Sequence, residues 1–559
     1  MKTIKKTYPL FLSLFCALFF LIIIQGCNKE KRKKRGILPD SSIYQSQNYN
    51  DLVLDSASIT AFLKTFPISD TIQEEIHEFY TRRNYQLAWI TKNGLTHSVS
   101  IFYNQLQAYQ KDFDDNSFDN AQMENLILAA QADEKKFQTQ KSEVQQLELL
   151  LTATFFKYAE KAYNGITKNP FDLEWFIPRK KKNYQTLLDS LVSLSKGEKI
   201  QEPVNQYYIR LKKKLREYRD IQQKGGWQQI VANKKVIALG DSDSCIVNVK
   251  KHLLLTGDLQ ENDGNIAFTD SLAKAVKRFQ FRMGLSKNGE LDLATIKELN
   301  QPVEARIKQI MINMERLRWV PVELEKDYLL INIPEFRLHV FENGKQAWAM
   351  NVVVGKTATQ TSIFKGHLST IVLNPYWGIP TSIVKNEILQ KLKRNADYLS
   401  DNNMEVLSGN TVVNPNKINW KKYKDNENVP FTFRQKPGDD NALGKIKFLF
   451  PNNFSIYLHD TPSKGLFNES KRAFSHGCIR VAEPNRLALY LLRKDSTWNE
   501  NRVNKILKTD KEYGIRVRPT VPVYIVYFTT WVDSAGQINF RKDLYDLDTK
   551  LSKEIFGSM

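Results

Sequence analysis

The 559-residue sequence predicts a multidomain α+β protein, and three observations carry that expectation. Apolar residues recur at helical spacing from about Ser58 to Ile221, short capped helical segments fall between 237 and 300, and β-branched and aromatic runs dominate from Asp327 onward. A chain this long exceeds one hydrophobic core, since domains hold roughly 100 to 200 residues.

At the N-terminus, Lys2, Lys5 and Lys6 precede the apolar run PLFLSLFCALFFLIIIQGC, the charged and apolar regions of a secretory signal. Its end, Ile24-Gln25-Gly26-Cys27, resembles the lipobox of bacterial lipoproteins, which implies a signal peptide over 1–26 and lipid on the Cys27 thiol. The alternative is an uncleaved membrane helix; both place the bulk of the chain outside the cytoplasm. Residues 27–57 read as a basic tether, with Lys29 and Lys31 to Arg35 solvated beside anionic headgroups. The net charge of +20 suits a membrane surface, a cell-wall polymer or a nucleic acid, and does not choose among them.

Residues 58–225 form the helical region, on runs such as LELLLTATFFKYAEKAY and TLLDSLVSL. The aromatic strip FYTRRNYQLAWI at 79–90 is expected to pack a core rather than bind a ligand. Residues 236–301 predict three short helices: one ending at Gly257, one opened by Thr269-Asp270, and one after the Asn288-Gly289 turn. Val276, Phe279 and Leu285 would be their core, and Cys245 a small buried apolar residue.

A linker helix, EARIKQIMINMERLRWVP, leads to the β-rich region. DYLLINI, FRLHVFENGKQAWAMNVVVG, HLSTIVLNP, KIKFLFP and FSIYLHD predict antiparallel strands of a sandwich or barrel, with Asn343-Gly344 as a hairpin turn. Between Thr381 and Gly444 the strands are expected to stop, and a polar stretch begun by the helix NEILQKLKRN inserts as a lid or binding loop. EPNRLALYLLR adds a helix, and PVYIVYFTTWVDSAGQINFRKDLY a closing hairpin.

The chemistry concentrates at SHGCIR, residues 475–480. Read with period two, FSIYLHD puts Ser455, Tyr457 and His459 on one face, so His459 leaves a strand end on its polar side. A histidine from one strand can meet Cys478 from the following loop and accept its thiol proton. Gly477 permits a tight turn in which the backbone N–H groups of His476, Gly477 and Cys478 converge as an oxyanion hole, the equipment of acyl transfer. Three other fates of Cys478 stay open: zinc ligation with His459, Asp460 and His476, a disulfide with Cys245, or an inert buried thiol.

HDTP (His459 to Pro462), followed after twelve residues by SHGCIRV (Ser475 to Val481), resembles the signature of the L,D-transpeptidase (YkuD) catalytic domain. NMERLRW, INIPEFRL, VVVGK, LNPYWGIP, RQ-x-PG, NALGKIKFLFPN and YLHDTP look like the large, YcbB-like branch of that family. The three-helix pattern resembles a small peptidoglycan-binding module. The resemblance implies a helical scaffold domain (58–225), a peptidoglycan-binding-like domain (236–301) and a mostly β, sandwich-like catalytic domain (304–550) with a capping insertion at about 381–444.

The resemblance further implies that Cys478 is the nucleophile and His459 the general base, oriented by a backbone carbonyl rather than by Asp460. His476 and Gly477 would shape the oxyanion hole, and Arg480 would bind a substrate carboxylate or pair with a structural acid. Tyr376, Trp377, Arg434 and Gln435 would line the substrate cleft or belong to the core. The implied reaction is 3-3 cross-linking of peptidoglycan stem peptides through a cysteine thioester with release of D-alanine. L,D-carboxypeptidase action and a wall-anchoring role are the alternatives. The implied partners are stem peptides, glycan strands and the membrane, at the periplasmic face of the cell envelope; no nucleic acid, metal or organic cofactor is expected.

Overall fold

The computed structural model describes residues 50–557 except 180, 181, 196, 396 and 426. The expected signal peptide, Cys27 and most of the tether lie outside the described residues. Among those described, no helix is long and apolar enough to cross a membrane.

The chain divides into two compact units. Of the described residues, the first comprises 50–110, Asn116–Glu160 and Asn183–Gln201, and is mainly helical. Helix α1 (Asp70–Arg82) opens where the Ser69 hydroxyl accepts the Ile72 N–H. Helix α2 (Lys141–Ala159) is buried on nearly every side, as its unbroken apolar run requires. Tyr80, Trp89, Phe102 and Phe155 fill the space between elements at no more than 1% exposure, so the 79–90 strip is core as expected. One carboxylate sits inside: Glu148 accepts the Ala88 and Trp89 N–H groups at 2.6 and 3.0 Å and the Tyr80 hydroxyl at 3.0 Å. Burial outweighs those bonds and pushes its pKa up to about 7.

The second unit holds Lys111–Asp115, Lys161–Lys182 and everything from Glu202 onward. Strand β1 (Trp175–Phe176) comes from the helical stretch of sequence yet belongs to this unit. Helix α3 (Gln206–Gln223) does too, packing on α7 (Val303–Arg318). Between them lie α4 (Ile246–Leu255), α5 (Asp270–Arg282) and α6 (Leu293–Leu299), whose shared core is Ile246, Val249, Leu253, Leu272, Val276, Phe279 and Leu299. Cys245 is buried and free.

The β-region closes into a ring, the barrel of the two arrangements its strands allowed, rather than the sandwich-like domain that the family resemblance implied. Its strands are β2 (Tyr328–Asn332), β3 (Arg337–Glu342), β4 (Lys345–Gly355), β5 (Ile363–Leu373), β10 (Ile446–Leu449), β11 (Leu458–His459), β13 (Ile479–Val481) and β14 (Tyr513–Val526), and their neighbours run β10-β11-β13-β4-β3-β2-β14-β5. Strand β5 then pairs with β10, closing the circle, while β1 pairs in parallel with β5 and β12 (Ala473–Ser475) with β4. Directly paired residues share a face, so register separates inside from outside. Phe448, Leu458, Ile479, Val481, Val352, Leu338 and Ile331 form the interior, each fully buried. Lys447, His459, Arg480 and Val353 form a row on the outer face. Closure removes the free edges that a sandwich keeps.

The insertion is not strandless. β6 (Trp377–Gly378), β7 (Met404–Ser408), β8 (Thr411–Val413) and β9 (Thr432–Gln435) make a separate sheet in the order β8-β7-β9-β6. Ile388, Leu389, Leu392, Val406, Trp420 and Phe433 give it a core of its own, which draws in the expected helix at 384–394. Its strands are short and separated by stretches rich in Asn, Asp and Lys, which hid the alternation. Beyond the ring, helix α8 (Pro484–Leu492) and a hairpin of β15 (Thr530–Val532) and β16 (Ile538–Phe540) follow as expected. The buried Arg282–Asp258 pair anchors α5 to that hairpin, since Arg282 Nη1 also donates to the Ile538 carbonyl at 2.6 Å.

Candidate active site

Strand β11 is only Leu458 and His459, and Ser455 three residues before it adopts φ +56, a left-handed conformation. The outward face predicted for His459 is correct, although the ring is buried at 5% exposure rather than open. Parallel pairing of Leu458 with Ile479 and His459 with Arg480 brings Tyr457 beside Cys478, and the Ile479 N–H donates to the Tyr457 carbonyl at 3.1 Å. One rung of sheet thus brings His459 next to Arg480, two residues past Cys478.

His459 Nδ1 meets the carbonyl oxygen of Asp460 at 2.5 Å. That bond places the proton on Nδ1 and leaves Nε2 with a free lone pair. Burial, then the Arg480 guanidinium, then Lys447 lower the His459 pKa to about 3 against the pull of the Asp460 and Leu443 carbonyls. The Asp460 carboxylate is engaged elsewhere: it accepts the Lys445 N–H at 3.0 Å and pairs with Lys464. A side chain at Gly444, itself at φ +61, would collide with that carboxylate, its Cβ coming within 2.4 Å.

Cys478 is half-buried and free, and its thiol points at the Ser455 carbonyl across 3.6 Å. Burial raises its pKa, while hydrogen bonding from Tyr457 and the charge of Lys447 draw it down. Gly477 stands at φ +114, which L-residues rarely adopt, and its carbonyl is held by the Thr361 hydroxyl at 2.8 Å. Its N–H, expected to serve an oxyanion, donates instead to Ser475 Oγ at 3.2 Å, and Ser475 Oγ donates to the Cys478 carbonyl at 2.5 Å. Gly477 therefore shapes the turn. His476 carries an exposed side chain.

Arg480 has burial as the sole cause of its lowered pKa, and its Nε finds no hydrogen-bond partner among the described residues. The structural-acid alternative for Arg480 thus has no acid among them. Arg434 lies over the Tyr376 ring at 4.3 Å and pairs with Glu405 at 2.8 Å, and Trp377 packs against the core of the insertion. Gln435 does not fit a substrate contact. It is buried, its Nε2 donates to the Asn402 and Asp440 carbonyls, and its Oε1 accepts the Ala442 N–H, so its polar atoms are spent on the loop.

Two neighbours of the thiol were not singled out from sequence. Lys447 on β10 sits across from His459 with its ammonium 4.1 Å from the centre of the Tyr457 ring. Burial lowers the Lys447 pKa, and attraction to Cys478 and Glu512 opposes this. Tyr457 was legible as the outward neighbour of His459, and Lys447 from the alternation of KIKF; neither pattern reveals that the two meet at a cysteine. Among the described residues, no group of three or more His, Cys, Asp or Glu side chains is placed to hold a metal ion.

A half-buried thiol, an imidazole pinned through Nδ1 and the cations of Lys447 and Arg480 thus share the outside of a closed sheet. Residues 326–507 match the YkuD family, described as the L,D-transpeptidase catalytic domain, and residues 74–215 match the scaffold domain family. The chain thus carries both domains. A Haemophilus influenzae (strain ATCC 51907 / DSM 11121 / KW20 / Rd) protein named "Putative L,D-transpeptidase" is 35% identical over 254 residues, 44% of this chain and 50% of the relative. The chain spans about half the length of that curated relative. The L,D-transpeptidase of Xylanimonas cellulosilytica DSM 15894 matches 53% of this chain and 100% of its own at 12% identity and TM-score 0.17. The L,D-transpeptidase (Yku) of Stackebrandtia nassauensis matches 52% of this chain and 94% of its own at 14% identity and TM-score 0.21. Those two scores are too low to establish a shared overall fold.

Proposed function

We propose that the chain is a peptidoglycan L,D-transpeptidase of the YcbB-like branch, working through a thioester on Cys478. The observation that supports this most is the Nδ1 bond of His459 to the Asp460 carbonyl, which leaves Nε2 as the acceptor for the thiol proton. The Cys478 sulfur attacks the carbonyl carbon at the third residue of a donor tetrapeptide stem as Nε2 takes its proton. The backbone N–H groups of His476 and Cys478 stabilise the tetrahedral oxyanion, where one donor is typically worth about 3 to 4 kcal/mol. The carbon–nitrogen bond then breaks, Nε2 returns the proton to the leaving D-alanine nitrogen, and a thioester remains.

A neighbouring stem amine attacks the thioester, its proton passes through His459, and a 3-3 link forms with the thiol restored. Water in place of the amine gives carboxypeptidase action. The 381–444 insertion acts as a cap that excludes water and favours the amine. Arg480, without an acidic partner among the described residues, binds the carboxylate of the donor stem. The three helices at 246–299 act as a peptidoglycan-binding module, and lipid on Cys27 tethers the whole to the periplasmic face of a membrane.

Intact mass of the chain after exposure to a tetrapeptide stem tests the reading. The expected result is an adduct of the tripeptidyl acyl mass on Cys478, absent in Cys478→Ala. An adduct on another residue, or muropeptide products unchanged in Cys478→Ala, removes the assignment.

A further inference from the structure

A second cleft, of about 840 Å³, opens where α3, the tip of α5 and the β15–β16 hairpin meet the outer face of β2 and β3. None of Cys478, His459, Lys447, Tyr457 or Arg480 lines it. Its volume falls in the range of about 300–1,000 Å³ usual for ligand sites.

The floor contains polar atoms that the described residues do not satisfy. Thr530 is fully buried and its hydroxyl has no partner; the Nδ1 of His339 is likewise buried and unpartnered. The other ring nitrogen of His339 is committed to the Glu335 carboxylate at 2.8 Å, so Nδ1 is left for an incoming group. A buried polar group without a hydrogen bond is destabilising, and a ligand hydroxyl or amide reaching it would relieve that cost.

The walls specify the rest of the ligand. Trp531 is half-buried with the Arg541 guanidinium on its ring at 4.9 Å, and Phe281 at the rim is 49% exposed. Aromatic faces above hydrogen-bonding groups suit the apolar faces and hydroxyls of a sugar. Arg210, Arg337 and Lys345 supply positive charge. The acids beside them are engaged: Glu335 by His339, and Asp533 by the N–H groups of Ala535 and Gln537 and the amide of Asn539, each at 3.0 Å.

We propose that this cleft binds an anionic amino-sugar glycan, one whose sugars carry both acetamido groups and a carboxylate. The choice of peptidoglycan among such glycans rests on the function proposed above; the cleft itself rests on Thr530, His339, Trp531 and the rim cations. It holds the glycan strand apart from the stem peptide at Cys478.

The test uses the full chain carrying Cys478→Ala and peptide-free glycan strands of alternating N-acetylglucosamine and N-acetylmuramic acid, followed by isothermal titration. The expected result is saturable binding that Arg210→Ala and Trp531→Ala each weaken at least about tenfold, and that neutral chito-oligosaccharides of equal length match no better than about tenfold more weakly. Arg210 is exposed on α3, so its variant reports even if Trp531→Ala fails to fold. Absence of binding, or binding that Arg210→Ala leaves unchanged, overturns the proposal. Because these strands carry no stem, a failed thioester experiment leaves this readout intact, and a failed titration leaves the thioester standing.

Discussion

The Nδ1 of His459 donates to the carbonyl oxygen of Asp460, the residue that follows it, while the Asp460 carboxylate turns away to Lys445 and Lys464. A backbone dipole orients the imidazole without lending it the negative charge that would favour an imidazolium. With the His459 pKa lowered to about 3 and the Cys478 pKa raised, the resting pair is thiol and neutral imidazole, not thiolate and imidazolium.

Alkylation of Cys478 by iodoacetamide is therefore expected to be slow between about pH 5 and pH 8 and to accelerate only as pH approaches and passes the ordinary thiol range of about 8.5. Mass-resolved labelling rates against pH check this. A fast, flat plateau from about pH 5 upward would show a standing ion pair and sink the neutral-pair reading.

Lys447→Met removes the cation that draws the Cys478 pKa down. The thiol pKa should rise further, and alkylation at fixed pH should fall by roughly threefold to tenfold, following about 1.4 kcal/mol per pKa unit. Thermal stability should hold or improve, because a half-buried ammonium is replaced by an apolar chain of similar length. Equal alkylation rates in the two proteins would show that Lys447 does not act on the sulfur.

Gly477→Ala introduces a side chain at φ +114, with room for the Cβ but not for the backbone conformation. The strain is about 1–2 kcal/mol, and relief by turning the peptide would move Cys478 relative to His459. Thioester formation should fall by at least about tenfold, with circular dichroism unchanged, since small misplacements of reacting groups are costly. Activity within about twofold of the parent would mean that the turn does not set the geometry.

Glu148 gives the helical unit a pH dependence. Its pKa is raised in the folded state from 4.5 to about 7, so the unfolded chain releases this proton first. The stabilising contribution is fully present below about pH 4.5 and is lost as pH rises through about 7, up to about 3 kcal/mol in all. Urea unfolding followed by circular dichroism at several pH values should show this slope, and Glu148→Gln should flatten it at lower absolute stability. The same slope in the variant would place its origin elsewhere.

The helical periods, the longer strands of the ring and the outward face of His459 were legible, because each is a local pattern. Closure of the ring was not. It depends on β5 pairing with β10 across a long intervening segment, and strand patterns are identical in a sandwich and a barrel. The strands of the insertion were missed because β6 and β8 are two or three residues long, too short for alternation to register. Gln435 illustrates a different limit: its motif marked it as functional, while its three hydrogen bonds within the loop are visible only in space. The orphan hydroxyl of Thr530 leaves no trace in sequence at all, since an unmade bond has no residue type.

Ring closure has a consequence for how the insertion is attached. Leu373, where β5 ends, pairs directly with Ile446, where β10 begins, and the next rung is continued by the Asn374 N–H to the Lys445 carbonyl at 2.8 Å. The whole segment between them departs from and returns to a single rung, so topologically it is the loop of a β-hairpin grown into a small domain. Such a graft can be cut at its stem: a two-residue turn joining Leu373 to Ile446 would keep the register of every barrel strand. The barrel and its cap are in that sense separable parts, and each is open to exchange without re-threading the other.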